Sequence, residues 1–271
     1  MTARNTVLIS ISALLLALTA PAHAQLPSNQ LYPLFNQANE AFRQANAIAG
    51  DPQAEKLYEK AILSYERIIN ETRIRNAGLY YNLANAYLLK GDLGKAILNY
   101  RRAQKLDSSD ENIRKNLTFA RSRTIDLIKP RTEKRVLQTL FFWHYDFALK
   151  TKFILTLLFF AALCITLTVM IWLGRSAPAT VAAVICAILV VCFFVSVTVE
   201  ANSKARTISG VITSQQVVAR QGDGQGYPAS FKDPLHEGTE FDLIEHRPGW
   251  FHIKLSDGSD GWMPDTTAEL I

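Results

Sequence analysis

Three histidines, His236, His246 and His252, fall near one another in the last quarter of the chain, with Glu237 and Glu245 beside two of them. Imidazole and carboxylate together are what zinc binding or general acid–base catalysis needs. Their spacing is not that of the usual zinc patterns, so no metal is expected there. His144 and Asp146 stand two apart, which on a helix puts them on different faces, and they read as polar groups at an interface rather than an acid–base pair. Gly222-Asp223-Gly224-Gln225-Gly226 alternates glycines without the strand before and helix after that a nucleotide cradle requires, so it is a loop. No nucleophile–base pair, carboxylate dyad or Walker loop completes a site. The expectation is a protein without catalysis or cofactor.

What remains is binding. Tyr80, Leu83, Ala84, Tyr87, Ala96, Tyr100 and Ala103 recur as a helix–turn–helix within residues 77–110. Small Ala84 lets one helix lie close to the next at Ala96, Tyr80 and Tyr87 fill the groove between them, and Gly91-Asp92 makes the turn. Asp107-Ser108-Ser109-Asp110 supplies N-cap residues for a following helix. These offsets resemble the tetratricopeptide repeat. A looser copy precedes it, with Asn39-Glu40-Ala41-Phe42 on one helix and Ala61, Tyr65 and Ile68 on the next, about ten residues further on than the second repeat would place them. A third helix, Glu111–Ile128, carries Leu117 and Phe119 among many charges and is expected to close the array. The resemblance, over residues 25–128, implies a groove that holds extended peptides or helices, lined by Asn39, Tyr81, Asn82, Asn85 and Leu88. Asn39 and Asn82 match the asparagines of arrays that clamp a carboxylate, but Phe35, Asn112 and Asn116 stand where that clamp has cations. The alternative is that these asparagines bond the backbone of neighbouring turns.

Two uncharged runs of 21 residues, Phe153–Leu173 and Ala179–Val199, must hold these parts in place. Each is long enough as a helix to cross a hydrocarbon core about 30 Å thick. Only Gly174-Arg175-Ser176-Ala177-Pro178 joins them, so the chain crosses and returns, and both flanks share one compartment. Cys164, Cys186 and Cys192 all lie inside these runs as packing residues. Met1–Ala24 reads as a signal peptide ending in Ala22-His23-Ala24. It sends the flanks outward, whereas the basic residues Lys129, Arg131, Lys134, Arg135, Lys150 and Lys152 before the first run favour the opposite side; the export signal acts first. Lys129-Pro130 ends the third helix, and Val136–Lys152, with Phe141, Phe142, Trp143 and Tyr145, is expected to be an interfacial helix.

The net charge of +5 conceals an asymmetry. Residues 25–135 hold nineteen Lys/Arg against twelve Asp/Glu, and residues 200–271 hold six against eleven. The two segments attract if they meet. No basic patch interleaved with aromatics appears, which argues against nucleic acid.

After the hairpin, Val211–Thr213, Gln216–Ala219, Glu240–Glu245, Trp250–Leu255 and Gly261–Met263 read as strands, with loops at Gly222–Gly226, His236–Gly238, Arg247–Gly249 and Asp257-Gly258. The paired steps Gly249-Trp250 and Gly261-Trp262, with Tyr227-Pro228, resemble a bacterial SH3 domain over residues 209–271. That resemblance implies a surface of Tyr227, Trp250 and Trp262 that binds cell-wall peptides or proteins, although tryptophans in so small a barrel also serve its core. The fold expected is a multidomain membrane protein: signal peptide 1–24, α-helical tetratricopeptide array 25–128, linker and interfacial helix 129–152, transmembrane helices 153–173 and 179–199, and a small all-β SH3-like barrel 209–271. This order is similar to the tetratricopeptide members (BatE-like) of the Bacteroides aerotolerance operon family. It implies a scaffold on the periplasmic side of the inner membrane, working with von Willebrand factor A-domain membrane proteins and a MoxR-type AAA+ ATPase in stress tolerance. The other reading is a peptidoglycan-binding sensor acting through the barrel.

Overall fold

The computed structural model describes residues 28–72, 74–128, 141–147, 149–206 and 208–271, so the expected signal peptide and most of the linker fall outside the described residues. The chain divides into two compact units, Met1–Arg75 and Asn76–Ile271.

The first unit is a pair of long helices, α1 (Ser28–Ala47) and α2 (Pro52–Thr72). Ala38, Ala41 and Ala45 present a flat face to the larger Tyr58, Ile62, Tyr65 and Ile68, all buried. Gly50 turns the chain at φ +98° and Pro52 opens α2, where its missing N–H costs nothing. The ten extra residues between the halves of this copy lengthen the helices rather than forming a large loop. α1 and α2 run 20 and 21 residues against 14 each for the next pair.

In the second unit, α3 (Ala77–Lys90) and α4 (Leu93–Leu106) form the tighter pair. Asn76 caps α3 by accepting from the Leu79 N–H, and Asp92 caps α4 through the Lys95 N–H. Gly91 between them takes φ +96° and returns its N–H to α3 carbonyls. Leu83, Ala84, Tyr87, Ala96, Tyr100 and Ala103 are buried as the pattern requires, whereas Tyr80 is only half-buried. Asp110 caps α5 (Glu111–Arg121), which packs Ile113, Leu117 and Ala120 inward. The expected helix to Ile128 is too long by seven residues. The chain leaves the helix after Arg121 and runs without regular structure to Ile128, where distant partners hold it.

Of the expected interfacial helix, the part before Phe141 lies outside the described residues. The rest is one short helix, α6 (Phe142–Asp146), broken at Phe147 before α7 (Leu149–Leu173) begins. α8 (Ala177–Arg206) returns. α7 and α8 are both long and apolar enough to cross a membrane, with mean hydropathy 2.7 and 2.9. Phe159 and Phe193 stack between them. At their open end Lys152 is fully buried, paired with Glu200 and donating to the His144 carbonyl, while the His144 ring meets Ser196 at 2.7 Å. A buried cation needs such a set of acceptors.

β1 (Ser209–Ile212) starts three residues beyond α8. A five-stranded antiparallel sheet follows in the order β6-β5-β4-β1-β7, with β4 (Glu240–Arg247), β5 (Trp250–Lys254), β6 (Asp260–Pro264) and β7 (Ala268–Leu270). β2 (Gln216–Val217) and β3 (Leu235–His236) form a separate ribbon. Ile212, Val217, Leu235, Phe241, Phe251, Ile253, Leu255 and Met263 make its core. Two strands were not expected. β3 falls where a loop was read, and β7 is three residues long; each is defined by its partner, Gln216–Val217 and β1 respectively, rather than by its own pattern.

Candidate partner-binding site

The expected groove residues Tyr81, Asn82, Asn85 and Leu88 lie on α3 at helical spacing, all half-buried. Tyr100, from α4, donates its hydroxyl to Asn85 Oδ1 at 2.5 Å. Asn116, from α5, donates to the same oxygen and to the Tyr81 hydroxyl, each at 3.0 Å. Burial pushes the Tyr100 phenol well above its ordinary range, so it remains a donor. Asn85 is thus held from two sides and Tyr81 from one, whereas Asn82 makes no side-chain hydrogen bond among the described residues. In the first unit Asn39 accepts the hydroxyl of Tyr65 at 2.6 Å, a phenol that burial raises to about 12. The side-chain bonds of Asn39 and Asn85 go to tyrosine hydroxyls and, at Asn85, to the Asn116 amide as well, not to backbone. On α3, Tyr81, Asn82, Asn85 and Leu88 are uncharged, and their amides suit a peptide backbone better than a carboxylate.

In the segment after the hairpin, the expected residues Tyr227, Trp250 and Trp262 differ in exposure. Trp262 is 8% exposed, with the His252 ring stacked on it at 4.6 Å and the Arg247 guanidinium 4.5 Å from its centre. Trp250 is half-buried opposite Pro264. Tyr227 is half-exposed and lies over Gly222, where a Cβ would come within 2.7 Å of the ring.

The histidines go separate ways. His252 pairs with Asp260 at 2.8 Å, His246 with Asp265 at 3.5 Å and His236 with Asp126 at 2.8 Å. Among the described residues no group of three or more His, Cys, Asp and Glu could hold a metal.

The last of those pairs opens onto something the motifs did not point to. The basic segment and the acidic one meet. Glu240 on β4 takes Arg121 through two bonds, 2.5 and 2.9 Å, and Arg101 Nε lies 2.9 Å from the same carboxylate. Arg102 reaches Glu269 at 3.1 Å and the Leu270 carbonyl at 3.0 Å. Glu237 accepts the Gly94 N–H at 3.1 Å, in the first turn of α4, where a carboxylate suits the helix dipole. Asp126 accepts from the His236 N–H at 2.6 Å and the Thr239 hydroxyl at 2.6 Å, besides the His236 ring. Burial works to raise the Asp126 carboxyl, but these bonds outweigh it and hold it below the usual carboxylate range. Burial lowers the Arg101 guanidinium, against the pull of Glu240. Two glycines allow the close fit. A Cβ on Gly94 would lie 2.7 Å from the Ile212 carbonyl oxygen, and Gly238, at φ +85°, packs against Thr124, Ile97 and Leu93. The opposite charges of the two segments were the one signal in the sequence for this interface.

Compared with known families, residues 77–110 match the model of the tetratricopeptide repeat. A search of curated proteins finds no match to the chain. The match covers α3, α4 and the turns beside them, with the expected groove residues Tyr81, Asn82, Asn85 and Leu88. The chain therefore contains a tetratricopeptide repeat at residues 77–110, a module that typically serves protein–protein interaction.

Proposed function

We propose that this protein is a membrane-anchored adaptor that recruits protein partners through Asn39, Tyr81, Asn82, Asn85 and Leu88. The observation that carries this is the Asn82 amide, without a side-chain partner among the described residues, on a helix whose Tyr81 and Asn85 are fixed by their own hydrogen bonds. Pre-ordered side chains lose little entropy when a peptide docks on them. α7 and α8 serve as the transmembrane hairpin of the inner membrane. The segment 209–271 is a bacterial SH3-like domain, offering Tyr227, Trp250 and the edge of Trp262 as a second surface. The domain limits are those expected from the sequence, with both flanks in the periplasm. The partners are von Willebrand factor A-domain membrane proteins and a MoxR-type AAA+ ATPase, in a complex serving aerotolerance or envelope stress. The half-exposed Tyr227 favours a second reading, a cell-wall sensor that binds peptidoglycan through the sheet.

A tagged full-length pull-down in mild detergent, with bound proteins identified by mass spectrometry, decides between them. Asn82→Arg with Leu88→Asp should remove the partners, because a buried charge without a counter-charge weakens binding by about tenfold or more. Partners that stay bound to this variant would sink the groove reading. Recovery of cell-wall material, lost instead with Tyr227→Ala, would move the function to the sheet.

A further inference from the structure

We infer that the α3 groove takes an uncharged, extended segment lying next to the membrane span of another integral membrane protein. This rests on the adaptor reading and on the hairpin crossing a bilayer; it adds where the partner's segment sits and what its chemistry is.

Reach is the first argument. The uncharged run of α8 ends at Val199, the helix continues to Arg206, and β1 starts at Ser209. Seven helical residues rise about 10 Å, and the step from Arg206 to Ser209 can add at most about 10 Å, which sets β1 within about 20 Å of the hydrocarbon edge. Beyond that point the repeat is not on a free tether. Glu237, Glu240, Glu269 and Asp126 fasten α4 and the end of α5 to the sheet, and Gly94 sits against the end of β1. α3 lies one helix spacing further, about 10 Å. Allowing about 13 Å for β1 itself, the groove is held within about 40 Å of the bilayer core, a span that an extended chain covers in roughly a dozen residues.

Charge is the second. Arg101, Arg102 and Arg121 are committed to sheet carboxylates. The groove keeps Tyr81, Asn82, Asn85, Asn116 and Leu88, none of them charged. A charged segment would be desolvated there without compensation, whereas a neutral one can bond its backbone to Asn82 and place an apolar side chain on Leu88.

The test is photo-cross-linking of the intact protein in its own membranes, with p-benzoyl-phenylalanine in place of Asn82. Cross-linked peptides should come mainly from within about a dozen residues of a hydrophobic span in other membrane proteins. Cross-links to soluble proteins, to distant domains of membrane proteins or to lipid would overturn the inference and leave the adaptor reading standing. A complete absence of cross-links would sink both. Undocking the sheet with Glu240→Arg in the same protein should spread the cross-links to positions further from a span. An unchanged distribution would show that docking does not set the reach, and the inference would fall.

Discussion

Asp126 shows how much of this molecule rests on single side chains that no local pattern distinguishes. It falls within the expected helix Glu111–Ile128 but lies beyond the observed helix end at Arg121, 14% exposed, with its two oxygens accepting from His236 and Thr239. Its partners are more than a hundred residues away, so periodicity carried no trace of them. Its carboxyl is depressed relative to the unfolded chain, so it stabilises the fold above the unfolded carboxylate pKa, and that contribution is lost as pH falls through the lower folded value. Asp126→Ala leaves a buried N–H and hydroxyl unpaired and should cost about 2–4 kcal/mol at neutral pH. Urea unfolding followed by tryptophan fluorescence at neutral and acid pH measures both effects. The variant should lose less stability on acidification than the parent, and equal losses would refute the assignment. The hydrogen bonds of Asn39 and Asn85 were not legible, because a tyrosine hydroxyl on the neighbouring helix is as invisible to spacing as a partner peptide.

At the scale of elements, the helices of the repeat could be read because small and aromatic residues recur with the helical period and each end carries a cap or a turn glycine. The strands were less legible where they were short. β7 has three residues and forms because β1 needs a partner on its second edge. Docking of the sheet on α4 was signalled only by the opposite charges of the two segments, and Gly94 itself looks like a weak spot in a helix. Alanine there would raise helix propensity by about 1 kcal/mol. Its Cβ would nevertheless meet a backbone carbonyl at 2.7 Å and the Thr213 Cα at 3.0 Å, neither of which can swing aside. Gly94→Ala should therefore loosen the docked sheet by about 1–3 kcal/mol, the usual result of forcing an extra carbon into a close contact. Hydrogen exchange should quicken across residues 208–271 while the α3–α4 pair stays protected. Slower exchange in the sheet would show that propensity outweighs the clash.

The whole molecule is constrained by the same docking. Ion pairs join Arg101, Arg102 and Arg121, before the hairpin, to Glu240 and Glu269, after it. Groups in van der Waals contact cannot lie on opposite sides of a bilayer, so α7 and α8, as membrane spans, must cross it together and return. Charge asymmetry between the flanks, visible in the sequence, and apolar run length thus describe one arrangement. What they leave open is the side, because the amino-terminal segment and the basic residues Lys150 and Lys152 favour opposite ones. Exposed positions on each flank resolve this. With Cys164, Cys186 and Cys192 replaced by alanine, Asn112→Cys and Lys232→Cys should both react with an impermeant maleimide from the same face of sealed vesicles. Labelling from opposite faces would break the hairpin reading outright. Labelling of both from the periplasmic face follows the export signal, and labelling of both from the cytoplasmic face would mean that the basic residues before the first span set the orientation.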